Sequence, residues 1–355
     1  MHRTVSIGGH RVGLGHPPMV VAELSGNHNG SLERALSLVE AAAASGAHAV
    51  KLQTYTAETM TLDSSSEGFV IDDPVSPWYG ERLYDLYQRA ATPWAWHRPI
   101  FDHCRRLGLI AFSSPFDAAA VDFLETLDAP CYKIASFELV DLPLIRYAAA
   151  TGKPLILSTG MATRDEIDEA VTAAREAGAR DLVLLHCTSA YPASPMEADL
   201  RTLPFLRERF DCEVGLSDHT HGIGVAVAAV ALGATLVEKH LTLRRSDGGV
   251  DAAFSMEPAE MQRLVSESER AWQALGSERM EPTASEQDSR RRRRSLYVVE
   301  DLAAGSELTT TNVRAIRPGL GLAPKHLDAC LGQRVVRDVA RGTPLDWALL
   351  GQEQN

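Results

Sequence analysis

Two lysines sit where lysines rarely go. Lys51 interrupts the apolar run "HAVKLQT" and Lys133 interrupts "CYKIAS". A charged lysine is almost never buried without a partner, so each of these has an anion or acid to meet. Hydroxyls recur at the ends of similar runs: Ser113 and Ser114, Ser136, Ser158 and Thr159, Thr188 and Ser189, and Ser217. Two ammonium groups with several hydroxyls suit an anion rich in oxygens, such as a phosphate or a phospho-carboxylate. His219 and His240 follow, 21 residues apart. That is too far for one helix face or one local metal loop. On adjacent strands they could give neutral imidazole to a borderline divalent cation such as Mn²⁺ or Zn²⁺, leaving open positions. Such a cation polarises a carbonyl and acidifies bound water. Glu23, Glu138 and Asp251 could grip sugar hydroxyls or move protons. Taken singly, a histidine at a strand end is more often a hydrogen-bonded structural residue than a ligand.

The elements that must position these residues are eight short β-rich runs: "MVVAEL", "HAVKLQT", "LIAFSS", "CYKIAS", "PLILSTG", "LVLLHCT", "EVGLSDH" and "LVEKHLTL". Most are separated by helical segments. "SLERALSLVEAAAASG" opens on a candidate cap, Ser31, and closes on Gly46. "TRDEIDEAVTAAREAG" carries a capping box from Thr163 to Glu166, with Ile167, Ala170, Val171 and Ala174 on one face. Eight units match the number that closes a (β/α)₈ barrel, which is favoured here over a doubly wound open sheet. Barrel enzymes place their chemistry at the C-terminal strand ends, and the polar residues fall there: Glu23, Lys51 and Gln53, Ser114, Lys133, Ser158, Tyr191, Ser217-Asp218-His219, and Glu238 with His240. The gap of 21 residues is then one barrel step.

The stretch from Thr61 to Ala91 is long for a connection and reads as a loop over the mouth or a surface excursion. Periodicity stops after Gly276, so residues 277–294 read as a linker between a barrel domain at 1–276 and a small β-rich domain at 295–355. Arg290 to Arg294 read as a solvated or acid-paired segment. The formal net charge of −12 argues against wholesale nucleic-acid binding. No apolar run is long enough for a transmembrane helix, and the N-terminus lacks a signal-peptide core. Cys104, Cys131, Cys187, Cys212 and Cys330 are scattered, and read as thiols of a cytoplasmic protein.

At these residues the chain resembles a known family. "AELSGNHNGSLERA", "AVKLQTYTAETMTLD", "FSSPFD", "YKIASFE", "STGMA", "CTSAYPA", "GLSDHT" and "EKHLTL" are similar, in order, to the signature segments of the sialic acid synthases. The tail, with "DLAAGSELTTTNVRAIRPGLGL" and "GTPLDW", resembles their antifreeze-like SAF domain. Within the family, "ELSGNHNG", "YKIASFE" and "TPWAWH" look most like the pseudaminic acid synthase branch. Ser189 stands where N-acetylneuraminate synthases usually carry Asn.

The resemblance implies condensation of phosphoenolpyruvate with an amino-sugar aldehyde, with C–O cleavage and release of phosphate. In this branch the sugar is 2,4-diacetamido-2,4,6-trideoxy-L-altrose. His219 and His240 would ligate Mn²⁺, or Mg²⁺ or Co²⁺ in its place. Lys51, Lys133, Ser136, Ser158, Ser189 and Ser217 would hold phosphoenolpyruvate, with Ser114 beside its phosphate. Glu23 would handle protons, and Gln53, Tyr191 and Asp251 would contact the sugar. In a domain-swapped homodimer, Arg317 would reach the sugar's acyl groups in the partner's barrel. Within the family the alternatives are N-acetylneuraminate and legionaminic acid synthases. Outside it stand a Schiff-base aldolase through Lys133 and an idle barrel whose tail binds ice or carbohydrate.

Overall fold

The computed structural model describes residues 4–74 and 76–352. The chain divides into two compact units, Met1–Gly276 and Ser277–Asn355. The first is a closed parallel barrel. After a hairpin of β1 (Val5–Ile7) and β2 (His10–Val12), its strands are β3 (Met19–Glu23), β4 (Ala49–Thr54), β5 (Ile110–Pro115) and β6 (Tyr132–Ile134). They continue with β7 (Leu155–Ser158), β8 (Leu182–Cys187), β9 (Glu213–Ser217) and β10 (Leu236–His240), and β10 pairs back onto β3. All eight expected runs form the strands of the expected barrel.

Side chains alternate along each strand, so two separate cores result. Val20, Val50, Leu52, Leu155, Leu157, Leu184, Val214 and Val237 face outward to the helices. Met19, Val21, Ala49, Phe112, Cys131, Ile156, Val183, Leu185 and Leu236 fill the barrel with Val5, Ile7 and Val12 of the hairpin. That hairpin closes the N-terminal floor: a Cβ on Gly8 would meet Ile110 at the start of β5. Three-residue strands carry too little alternation to be read from sequence. Above the apolar layer the inward positions turn polar: Glu23, Lys51, Ser114, Lys133, Ser158, Ser217 and Glu238 are all buried.

The helices follow their capping signals. Ser31 accepts from the Arg34 N–H at the start of Leu32–Ala44, and Gly46 takes a φ of 78° just beyond its end. Thr163 and Glu166 form the capping box of Arg164–Glu176, which buries Ile167, Ala170, Val171 and Ala174. The excursion between β4 and β5 contains the helices Ala57–Met60 and Leu83–Ala90. Its middle folds back on itself: Ile71 N–H donates to Glu81 O (2.9 Å), Gly80 N–H to Ile71 O (2.8 Å) and Leu83 N–H to Phe69 O (2.9 Å).

The second unit pairs β11 (Ser295–Val298) with β12 (Val313–Ile316) antiparallel over a small core of Leu296, Val298, Leu308, Val335 and Leu345. Within the stretch read as a linker, Ala284–Arg290 is helical, with a capping box from Thr283 and Glu286. It buries none of its residues, so no apolar period announced it. Arg290 to Arg294 are exposed. Among the described residues, no helix is long and apolar enough to cross a membrane.

Candidate active site

Strand register brings the charged groups together. His240 pairs with Glu23, and Glu23 with Lys51, so three adjacent strands present them at one level. Lys51 Nζ lies 2.5 Å from Glu23 Oε2 and donates to Ser114 Oγ at 3.3 Å. Glu238 stands between the lysines: its Oε1 is 3.7 Å from Lys51 Nζ and 3.6 Å from Lys133 Nζ, and accepts from Ser217 Oγ at 3.2 Å. Burial pushes the Glu23 carboxyl up to about 7, against the pull of Lys51. Burial also lowers the pKa of Lys133. For Lys51 burial works the same way but is outweighed by Glu23 and Glu238, which raise it. The cluster is therefore a charge-balanced set of two ammoniums and two carboxyls, one of them poised near neutrality.

Beside it lies a ring of hydroxyls. Ser136 Oγ accepts from Gly160 N–H at 3.1 Å. A Cβ on Gly160 would come within 2.2 Å of Ser189 Oγ and 2.8 Å of Ser136 Oγ, so the loop after β7 approaches both serines only because it has no side chain. Ser158 Oγ, Glu238 Oε2 and Glu138 Oε2 are buried without a hydrogen-bond partner among the described residues. Orphaned buried polar atoms are costly and mark a place where a ligand completes the network. Burial pushes the Glu138 carboxyl up to about 7.

The histidines do meet. The rings of His219 and His240 lie 5.4 Å apart, centre to centre. His219 Nδ1 lies 3.0 Å from the Thr188 carbonyl. A carbonyl only accepts, so Nδ1 carries the hydrogen and Nε2 keeps its lone pair. His240 Nδ1 is 3.1 Å from Ser25 Oγ, next to Gly26, whose N–H donates to Asp251 Oδ2 at 3.2 Å. Neither Nε2 has a hydrogen-bond partner among the described residues. Fixing one ring nitrogen to free the other is how metal-binding imidazoles are held. Burial drives His240 well below its ordinary pKa, so it is a neutral donor. For His219 burial acts likewise but is outweighed by the Cys187 sulfur, 3.8 Å from Nδ1, which raises it. A cation at Nε2 competes with that proton. The donor set fits a divalent cation held by two imidazoles. No group of three or more His, Cys, Asp or Glu side chains converges on one point among the described residues. The remaining positions would fall to substrate and water.

Tyr191 packs on His219 (4.6 Å between rings) and Phe254 on His240 (5.0 Å). Gln53 pairs in register with Ser114 at the mouth. Arg317 belongs to the second unit. Two residues at strand ends turn away from the mouth. Asp218 binds Lys239 Nζ at 2.9 Å on the outer face, and Ser113 binds Thr54 Oγ1 at 2.6 Å. Glu238 was visible in sequence, two residues before His240 and so on the same face, but its place between both lysines depends on barrel closure. Ser25 and Gly160 gave no signal by type or spacing.

Residues 38–280 match the model of the NeuB family, and residues 293–351 that of the SAF domain. The chain belongs to the NeuB family. It is 44% identical over 332 residues to a pseudaminic acid synthase of Helicobacter pylori, covering 93% of this chain and 96% of that protein. It is 35% identical to an N,N'-diacetyllegionaminic acid synthase of Legionella pneumophila, covering 92% of this chain and 93% of the relative. Among solved structures it is similar to the N-acetylneuraminic acid synthetase of Leptospira borgpetersenii in complex with citrate. The TM-score is 0.73 at 31% identity, over 81% of this chain and 95% of that one. The NeuB family membership agrees with the resemblance read from the motifs, and the SAF match with that read from the tail. NeuB enzymes are metal-dependent synthases.

Proposed function

We propose that this NeuB enzyme is a pseudaminic acid synthase, joining phosphoenolpyruvate to 2,4-diacetamido-2,4,6-trideoxy-L-altrose and releasing phosphate. The observation that carries the reading is one mouth holding both an anion cradle, Lys51 and Lys133 among serines, and a pair of free imidazole nitrogens. The choice of sugar is supported by the 44% identity to the Helicobacter pylori synthase.

In this reading Lys51, Lys133 and the hydroxyls of Ser114, Ser136, Ser158, Ser189 and Ser217 bind the phosphate and carboxylate of phosphoenolpyruvate and fix the face of its C3. Preorganised donors in a buried site stabilise charge far better than water does. A divalent cation, Mn²⁺ before Mg²⁺ or Co²⁺, bound at the Nε2 atoms of His219 and His240, would supply polarisation of the sugar aldehyde. Gln53, Tyr191 and Asp251 orient the sugar chain so that its carbonyl carbon meets C3. Glu23, near neutrality in pKa, holds or gives up a proton as water adds at C2 and the tetrahedral intermediate expels phosphate. The subunits pair so that Arg317 of one serves the mouth of the other. A Schiff-base route through Lys133 is disfavoured, since the histidine pair has no part in such chemistry.

The test is phosphate release by the purified protein with Mn²⁺, phosphoenolpyruvate and a panel of sugars. Highest kcat/KM for the L-altrose derivative is expected. A higher value for N-acetylmannosamine or for the legionaminic acid precursor would move the enzyme to another branch. Borohydride trapping of an adduct at Lys133 would overturn the synthase reading.

A further inference from the structure

The excursion between β4 and β5 delivers one side chain to the mouth that the chemistry above leaves unused. Trp78 is half-buried in the folded-back loop that Ile71, Gly80 and Glu81 close through their backbone. Its indole Nε1 donates to Val250 O at 3.0 Å, beside Asp251. The indole lies 6.1 Å from the Tyr191 ring, which lies 4.6 Å from the His219 ring. Three connections of the barrel thus converge: the one after β4 brings Trp78, the one after β8 brings Tyr191, and the one after β10 brings Asp251 and Phe254. The ring centres step 4.6 Å from His219 to Tyr191 and 6.1 Å from Tyr191 to Trp78.

We propose that Trp78 determines sugar specificity by presenting its apolar face to the end of the chain remote from the aldehyde, where a 6-deoxy sugar carries a methyl group. An aldehyde fixed at the imidazole pair and extended along Tyr191 brings C5 and C6 beneath the indole. The one polar atom of that side chain, Nε1, is already committed to Val250 O, so it has nothing to offer a 6-hydroxyl. A hydroxyl placed there loses water and gains no partner. A methyl group against an apolar wall is worth roughly 10–200-fold in kcat/KM. The bond to Val250 orients the indole, and the loop closure keeps it from swinging into solvent.

The proposal rests on the amino-sugar reading above, and the experiment separates the two. Wild type, Trp78→Ala and Trp78→Phe are assayed by phosphate release with the trideoxy diacetamido sugar and with N-acetylmannosamine, varying each substrate. If wild type prefers N-acetylmannosamine, the choice of branch fails, and the Trp78 preference for a 6-methyl end fails with it. If wild type prefers the trideoxy sugar, Trp78→Ala should raise its KM at least 10-fold, leave the KM for phosphoenolpyruvate within twofold, and shrink the preference by a similar factor. Trp78→Phe keeps a ring but loses the bond to Val250, and should retain most of the preference. Two outcomes sink the Trp78 proposal while leaving the branch intact. One is an unchanged preference in Trp78→Ala. The other is an equal loss in both variants with both sugars, which would make Trp78 only a fastener for its loop.

Discussion

Glu238 places its carboxylate 3.6 Å from the ammonium of Lys133, and both side chains are buried in the barrel. Lys51 has a second carboxylate in Glu23, whereas Lys133 has no other acid within ion-pair distance among the described residues. Removing one partner of a buried pair leaves an uncompensated charge and costs about 3–5 kcal/mol. Glu238→Gln keeps the shape and removes the charge. It should melt well below wild type, and phosphoenolpyruvate or inorganic phosphate should restore more of its melting temperature than of the wild type's. Equal shifts on adding phosphate would show that the anion does not bind at Lys133.

Gly160 tests the anion cradle from the backbone side. A methyl group there would lie 2.2 Å from Ser189 Oγ and 2.8 Å from Ser136 Oγ, so both hydroxyls must move. Gly160→Ala should raise the KM for phosphoenolpyruvate about 10- to 100-fold, the loss of one or two hydrogen bonds to a charged ligand. The sugar KM should stay near wild type. A variant with unaltered phosphoenolpyruvate kinetics would place the substrate elsewhere.

Acid stability should report on buried histidines far from the mouth. His48, on the strand entry near the hairpin floor, accepts from Val20 N–H at 3.0 Å through Nδ1 and packs 4.8 Å from His10. Burial, then repulsion from His10, lowers it from 6.5 to about 4. The unfolded chain therefore binds a proton that the folded chain refuses between those values. Stability is full above about pH 6.5 and falls as the pH drops toward 4, by on the order of 3 kcal/mol for this group. His48→Asn retains an acceptor for Val20 and cannot titrate. Denaturant melts at pH 7 and pH 5 should show a smaller pH penalty in the variant. An identical penalty would assign the acid lability to other groups.

What was legible in the sequence follows from what each element buries. All eight barrel strands are apolar runs with polar ends, so count and order could be read directly, and the lysines stood out because they broke the runs. The hairpin Val5–Val12, the exposed helix Ala284–Arg290 and the fold of the excursion around Trp78 left no such trace. Asp218 and Ser113 show the limit of reading strand ends alone: each is adjacent to an inward residue, and alternation turns it outward to Lys239 or Thr54. Glu238 and Gly160 acquire meaning only once the barrel closes and sets neighbours from distant strands beside them.

Arg317 can be tested by complementation. If one subunit's Arg317 serves its partner's mouth, Arg317→Ala and His219→Ala should each be nearly inactive alone. Unfolding and reassembling them together as a statistical mixture should recover about a quarter of wild-type activity, from mixed dimers with one intact site. No recovery would confine Arg317 to its own subunit's site, and full activity of Arg317→Ala alone would remove it from the reaction.

The imidazole pair gives the sharpest test of the metal. His219 and His240 hold their Nδ1 atoms on Thr188 and Ser25, with their ring centres 5.4 Å apart. Either His→Ala variant should lose Mn²⁺ binding by calorimetry or by electron paramagnetic resonance, and lose metal-dependent phosphate release, while circular dichroism stays unchanged. His219→Gln is the control for packing against Tyr191 and Phe254, since it fills space without an imidazole. It should fold and fail to bind as well. Turnover undiminished by chelator in any of these variants would remove the cation from the site and return the two histidines to a structural role.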